Sequence, residues 1–375
     1  MKAKGRVATK RGGAAFRRPG GARFEERFLE SFSNADGPSG WEAPVRELVV
    51  EAVRDHVDEL SVDAMGNLVA HVSPARGGAK AARGKRGRGP HVMLCAHMDE
   101  VGFMVTAVEK DGRLRIRKVG GIDPRILLGQ VVRVGTNGAR GVVGVLPAHL
   151  LTNADMTKVT PIEDLFLDIG ASSREEALQA ISLGDLVAFD TTYEAWGTVR
   201  KGKAFDDRVG CAVLASLVQR RPPVPLTAVW AVQEEIGLRG AAAAARRVSP
   251  DLAIVLEGTA SGETPGASPE EMQPRMGGGP TLTVQDRSLM ADARLVELLE
   301  RTAKRWKIPT QWKRPGVGGT DAGRIALSGA GVPAAVVSVA CRYIHAPAAY
   351  LDIRDPQRVV DLVWHALGAI GKEWT

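Results

Sequence analysis

Hydrophobic and polar positions fall into two textures along this chain. After Gly37-Pro38-Ser39-Gly40, the residues Val45, Leu48, Val49, Ala52 and Val53 recur at the i, i+3, i+4, i+7, i+8 spacing of one helix face. Pro44 suits the first turn of that helix, where a missing N–H costs nothing. Residues 59–70 alternate and break at Gly66-Asn67, which predicts a hairpin. Residues 92–96 are wholly apolar, as expected of a strand covered on both faces. From about residue 200 the rhythm resumes. It predicts helices over 209–219, 240–247, 291–307 and 356–372, and strands over 226–232, 252–256 and 334–339. Strands alternating with helices predict an α/β fold, a mostly parallel sheet sandwiched by helices.

Between about 106 and 195 the texture differs. Residues 113–119, 130–134 and 141–146 read as short strands separated by glycines, which predicts a small β-rich domain inserted into the larger one. The expected boundaries are 24–105 and 198–375 for the two parts of the main domain and 106–197 for the insert. A chain of 375 residues is long enough for both cores.

Composition changes this picture little, except through charge. No uninterrupted apolar stretch is long enough to span a bilayer, and the first residues lack the apolar centre of a secretory signal. No membrane association is expected. Cys95, Cys211 and Cys341 sit in apolar segments and are odd in number. They read as buried thiols of a reducing compartment, and the expected location is cytoplasmic. The net charge of +7 comes from two segments: residues 1–24 contribute +8, residues 74–90 contribute +6, and the remainder is left at −7. Both segments are rich in Gly, Ala and Arg without hydrophobic periodicity, and residues 1–23 and 74–90 are expected to be disordered. Residues 74–90 carry no aromatic and residues 1–24 only Phe16 and Phe24, too few to interleave for base stacking, so nucleic-acid binding is not expected.

The candidate chemistry lies at predicted strand ends, where α/β sheets carry their sites. The strand 92–96 ends at His97-Met98-Asp99, and the strand 226–232 at Glu234-Glu235. The strand 252–256 ends at Glu257, and the strand 334–339 leads to His345; Asp206-Asp207 opens the helix 209–219. Singly these are ordinary: an Asp caps a helix, and a histidine is more often structural than a ligand. Jointly, two imidazoles, three carboxylates and a spare Glu match what a pair of divalent cations requires. Asp99 is placed to orient His97.

Four segments carry a resemblance: Ala96-His97-Met98-Asp99-Glu100-Val101-Gly102-Phe103, Ala204-Phe205-Asp206-Asp207-Arg208-Val209-Gly210, Val232-Gln233-Glu234-Glu235-Ile236-Gly237 and Tyr343-Ile344-His345-Ala346-Pro347. They resemble the glutamyl aminopeptidase or tetrahedral (TET) aminopeptidase family of dinuclear metallopeptidases, whose members are sometimes called endoglucanase M. Gly120-Gly121-Ile122-Asp123-Pro124-Arg125 and Asp168-Ile169-Gly170-Ala171-Ser172-Ser173 resemble that family's inserted domain. The resemblance runs from about Phe24 to the C-terminus. It implies peptide substrates and two divalent metal ions per subunit, zinc or alternatively cobalt. His97 and Glu257 would hold one ion, His345 and Glu235 the other, and Asp206 would bridge. Glu234 matches the general base and Asp99 the partner of His97. Glu257 departs from the family, where Asp is frequent. The resemblance also implies self-association through the insert, from dimers to a tetrahedral dodecamer.

Two other readings stand beside this one. A glycosidase needs two carboxyl groups about 5–9.5 Å apart and no metal; it leaves both histidines without purpose, and its usual aromatic platforms fit poorly with 5% aromatic residues. A non-catalytic polyanion binder would use the basic segments alone. The glycine-bounded loops 277–280 and 317–323 either shape a substrate pocket or are plain turns.

Overall fold

The computed structural model describes residues 21–74, 89–150, 158–268, 271 and 274–374. Most of the expected basic tail (1–20) and basic loop (75–88) lies outside the described residues. The packed body begins slightly before the expected boundary at 24. Ala22 is buried, and the carbonyls of Gly21 and Ala22 accept from Arg220 and Gln357.

Helices α1 (Glu26–Asn34) and α2 (Ala43–Val53) precede the hairpin β1 (Glu59–Val62) and β2 (Leu68–Val72), and then β3 (Val92–His97). Six strands follow: β4 (Gly102–Val108), β5 (Leu114–Val119), β6 (Val131–Val134), β7 (Ala139–Gly144), β8 (Phe166–Asp168) and β9 (Leu186–Phe189), with α3 (Arg174–Ala180) before β9. The chain continues through β10 (Glu194–Trp196), β11 (Val199–Gly202), α4 (Phe205–Val218), β12 (Leu226–Ala231), α5 (Gly240–Val248) and β13 (Leu252–Ala260). Last come β14 (Thr281–Thr283), α6 (Ala293–Trp306), β15 (Gln311–Trp312), α7 (Asp321–Ala326), β16 (Ala334–Arg342), β17 (Ala349–Asp352) and α8 (Arg354–Glu373).

The large sheet runs β1-β2-β12-β3-β13-β16-β17-β11-β10. Its centre, β12-β3-β13-β16, is parallel, with antiparallel strands on both sides. The period of two sends alternate residues of each central strand to opposite cores. Leu94 and Ala96 of β3, Ala228 and Trp230 of β12, and Ile254 and Leu256 of β13 pack toward α1, α4 and α8. Met93, Cys95, Val229, Ala231 and Val255 face the other way, against the alanine-rich α5 and α7. Both faces are covered, which is why these strands are mostly apolar, with Thr227, Glu257 and Thr259 as buried exceptions. All three cysteines are buried and unpaired in disulfides.

The insert is a closed barrel, β4-β5-β8-β7-β6-β9, filled by Phe103, Leu114, Leu127, Val132, Val134, Leu167, Val187 and Phe189. It spans 102–189 rather than 106–197, because β10 pairs with β11 in the large sheet. A buried ionic knot ties barrel to sheet. Lys203 Nζ donates to Glu100 Oε1 (2.6 Å) and approaches Asp36 Oδ1 (3.1 Å), while Arg133 of β6 reaches Asp36 (2.6 Å) and Asp190 (2.6 Å).

Candidate active site

The four parallel strands deliver their chemistry to one edge. His97 is the last residue of β3, and Glu234-Glu235 follow β12. His345 lies three residues past β16. Glu257 lies inside β13 rather than at its end: β13 pairs with β16 as far as Ala260, so the strand outruns the apolar pattern that marks its start. Gly258, next to Glu257, leaves room for the Asp206 loop; a Cβ there would come within 2.9 Å of Asp206 Cα.

Asp206 sits between the two imidazoles. Its Oδ1 is 3.4 Å from His97 Nε2, and its Oδ2 is 3.5 Å from His345 Nε2. His97 Nε2 also faces Glu257 Oε2 at 3.6 Å and Glu234 Oε2 at 3.9 Å. His345 Nε2 faces Glu235 Oε1 at 3.2 Å. The other ring nitrogens are committed elsewhere. His97 Nδ1 donates to Asp99 O (3.1 Å) and His345 Nδ1 to Gly121 O (2.9 Å), since a carbonyl only accepts. Both Nε2 atoms therefore point inward with a lone pair available in the neutral ring.

Asp206 and Asp207 have separate duties. Asp207 Oδ1 accepts from Gly210 N (2.9 Å), capping the regular part of α4, and its Oδ2 accepts from His97 N (3.1 Å). Asp206 Oδ1 and Glu257 Oε1 are buried and, among the described residues, have no hydrogen-bond partner. An orphaned buried carboxylate oxygen is costly, so these atoms ask for a cation. Spacing agrees. A tetrahedral ion with bonds of about 2.05 Å sets its ligand atoms about 3.4 Å apart, close to the separations around both Nε2 atoms. Asp207 also lies near enough to His97 and Glu257 to complete a ligand trio, but its oxygens are already engaged.

Charges reinforce one another here. Burial opposes a charged His97, yet Glu234, Asp206, Asp99 and Glu257 outweigh it and hold its pKa well above the usual value. His345 behaves alike: burial lowers it, but Asp206 and Glu235 carry it to about 11. Burial raises Glu234 and Glu257 well above the carboxylate range despite nearby His97. Asp206 is driven the other way, its burial overcome by both imidazoles. Each bound ion must displace protons from these rings. Zinc titrated into the metal-free protein at pH 7, in buffers of differing ionisation enthalpy, should release about one proton or more per ion. Binding should weaken as pH falls, and heats independent of the buffer would contradict the arrangement.

Asp99 has a wider part than its sequence position suggests. Its carboxylate is 3.5 Å from His97 Nδ1, but it also accepts from Glu234 N (3.0 Å), Glu235 N (3.0 Å) and Ser39 Oγ (2.6 Å). Sequence reasoning missed Ser39, which it noted only as part of the run Gly37-Pro38-Ser39-Gly40 before the helix. It also missed Asp321, which opens α7 within the glycine-bounded loop 317–323. Asp321 is buried, with both oxygens unpartnered among the described residues, and burial lifts its pKa to about 7.

Residues 77–362 match the model of the M42 glutamyl aminopeptidase family. The chain belongs to this family. Its M42 relatives include the lysyl aminopeptidase of Pyrococcus furiosus, 32% identical over 89% of this chain and 94% of that protein. The TET aminopeptidase of the marine sediment archaeon Thaumarchaeota archaeon SCGC AB-539-E09 superposes with a TM-score of 0.85 at 34% identity, over 93% of this chain and 96% of that one. The TET1 peptidase of Pyrococcus horikoshii, which assembles into a tetrahedron or a large octahedral shell, matches at 31% identity with a TM-score of 0.79, over 92% and 98% of the two chains.

Proposed function

We propose that this M42 chain is a dinuclear metal-dependent aminopeptidase that removes N-terminal residues from peptides. The observation that carries the reading is Asp206, which offers one carboxylate oxygen to each of two inward-facing imidazoles. In this reading His97 and Glu257 would hold one divalent cation and His345 and Glu235 the other, with Asp206 offering an oxygen to each. Zinc or cobalt suits this mixture of imidazole and carboxylate. When bound, the pair would polarise the scissile carbonyl and acidify a water. Glu234 then does the proton work: its carboxylate takes the water's proton and delivers it to the departing amine nitrogen. Asp99 holds the turn carrying Glu234 and Glu235 through their own N–H groups, so base and ligand keep a fixed separation. A glycosidase gains nothing from the imidazole pair, and a polyanion binder gains nothing from the carboxylates.

The barrel is the proposed dimerisation element. Leu128, Val131, Val142, Leu146 and Leu150 are exposed on or beside it, and the Pyrococcus horikoshii relative forms closed shells. The proposed assembly is a dimer or larger, up to a tetrahedral dodecamer. Among the described residues, no helix is long and apolar enough to cross a membrane, and the proposed location is the cytoplasm.

A panel of aminoacyl chromogenic amides, assayed after chelation and again after adding back zinc or cobalt, tests the activity. Hydrolysis lost to the chelator and restored by metal is expected, together with a light-scattering mass of at least two 39.9 kDa chains. Metal-independent cleavage of a glycan with the amides untouched would reject the activity, and a monomer would reject the assembly.

A further inference from the structure

A short segment near the chain's beginning is bound against the active-site loops from outside. Ser39 N donates to Glu100 O (3.3 Å), Glu100 N donates to Gly37 O (3.0 Å), and Gly37 N donates to Glu100 Oε1 (2.9 Å). Residues 37–39 thus pair with the backbone immediately after Asp99, with an isolated parallel bridge between Pro38 and Glu100. From that position Ser39 Oγ donates to Asp99 Oδ2 at 2.6 Å. The same oxygen accepts from Glu235 N at 3.0 Å. Three residues on, the buried Glu42 turns one oxygen to two donors: Oε1 accepts from Gly40 N (2.7 Å) and from Gln233 N (3.2 Å).

The second contact falls where the backbone needs help. Gln233 has φ +58°, the left-handed region that side-chain-bearing residues disfavour. Such a conformation lasts when its surroundings over-determine it. Asn67 contributes as well, since its Oδ1 accepts from Val232 N (3.0 Å). Four consecutive N–H groups, from Val232 to Glu235, are therefore held by the side chains of Asn67, Glu42 and Asp99. The Glu42 side chain makes no capping hydrogen bond to α2, so a helix-start role does not account for its reach to Gln233.

We propose that Ser39 and Glu42 are positioning residues that fix the Asp99 carboxylate and the Gln233–Glu235 backbone, and so set where Glu234 and Glu235 point. The proposal rests on the reading of Glu235 as a metal ligand and Glu234 as the base. Neither side chain touches the reacting atoms. Glu42 acts through a single oxygen that both donors share, and one amide oxygen could serve both in its place.

The test uses the full-length, metal-loaded protein and three variants: Ser39→Ala, Glu42→Ala and Glu42→Gln. Zinc affinity is read by competition with a chelating dye, and kcat and KM with an aminoacyl chromogenic amide well below each variant's Tm. Both alanine variants should lose about tenfold or more in zinc affinity or kcat, the range for residues that orient ligands, with KM within about twofold. Glu42→Gln should restore both quantities. A merely structural role would lower Tm and leave kcat per folded, metal-loaded chain at the parental value, and that result overturns the proposal. So does Glu42→Gln failing as badly as Glu42→Ala, which would mean that charge mattered. If Glu42→Ala does not fold, Ser39→Ala decides alone. If the parent protein hydrolyses no amide, the functional reading falls, while zinc affinity still decides the positioning role.

Discussion

Glu234→Gln is expected to lose about 10³-fold in kcat, within the span attributed to general acid–base catalysis, while retaining its metal. Gln keeps the shape of Glu but cannot take a proton from water. In the metal-free protein the Glu234 carboxyl is raised by burial, and Asp321 and Glu235 add like charge against His97. A neutral isostere relieves that repulsion, so the Tm of the metal-free variant should not fall. The backbone of residue 234 still donates to Asp99, so the turn should survive. Elemental analysis together with single-turnover kinetics checks both halves. Parental turnover would remove Glu234 from the mechanism, and lost metal would recast it as a ligand.

Asp206→Asn is expected to have the larger effect on metal content. Its two oxygens face different imidazoles, so one substitution should weaken both of the proposed cation positions at once. Zinc affinity should fall by more than the roughly 100-fold upper range for residues that only orient ligands. Asp207→Asn is the informative control. Asp207 accepts from Gly210 and His97 main-chain N–H groups, and Asn can replace one of those two acceptors. Its loss should be a hydrogen bond worth about 1 kcal/mol of stability, with zinc binding retained. The reverse pattern, metal lost from the 207 variant and kept by the 206 variant, would favour the trio of His97, Asp207 and Glu257.

Much of this arrangement was legible in the sequence, for specific reasons. The central strands bury both faces, so β3 and β12 read as largely apolar runs and their ends announced His97 and Glu234. The helices α2 and α8 displayed their apolar faces at helical spacing. The antiparallel strands β10, β11 and β17 were not legible: segments such as Val199-Arg200-Lys201-Gly202 are short, polar and held by cross-strand pairing. Their absence from the sequence reading is also why the insert was drawn too long on its C-terminal side. Glu257 was placed at a strand end because a carboxylate interrupts the apolar pattern, whereas here it is buried within the strand facing the site. No periodicity could separate Asp206 from Asp207, because two non-helical residues open α4 and their partners come from elsewhere in the chain. Ser39 stood only within the Gly37-Pro38-Ser39-Gly40 run, and Glu42 was not singled out. Their second partners, Asp99 and Gln233, are visible only in three dimensions.

The order in which these groups occur along the polypeptide has a consequence for biosynthesis. Chains emerge N-terminus first and fold by units. The site draws its imidazoles from residues 97 and 345, separated by most of the catalytic sheet, with β16 pairing beside β13 only after both exist. A ribosome-bound fragment lacks one imidazole of the site until His345 has been made. The proposed two-cation centre is therefore incomplete in any nascent chain that has not yet presented that residue.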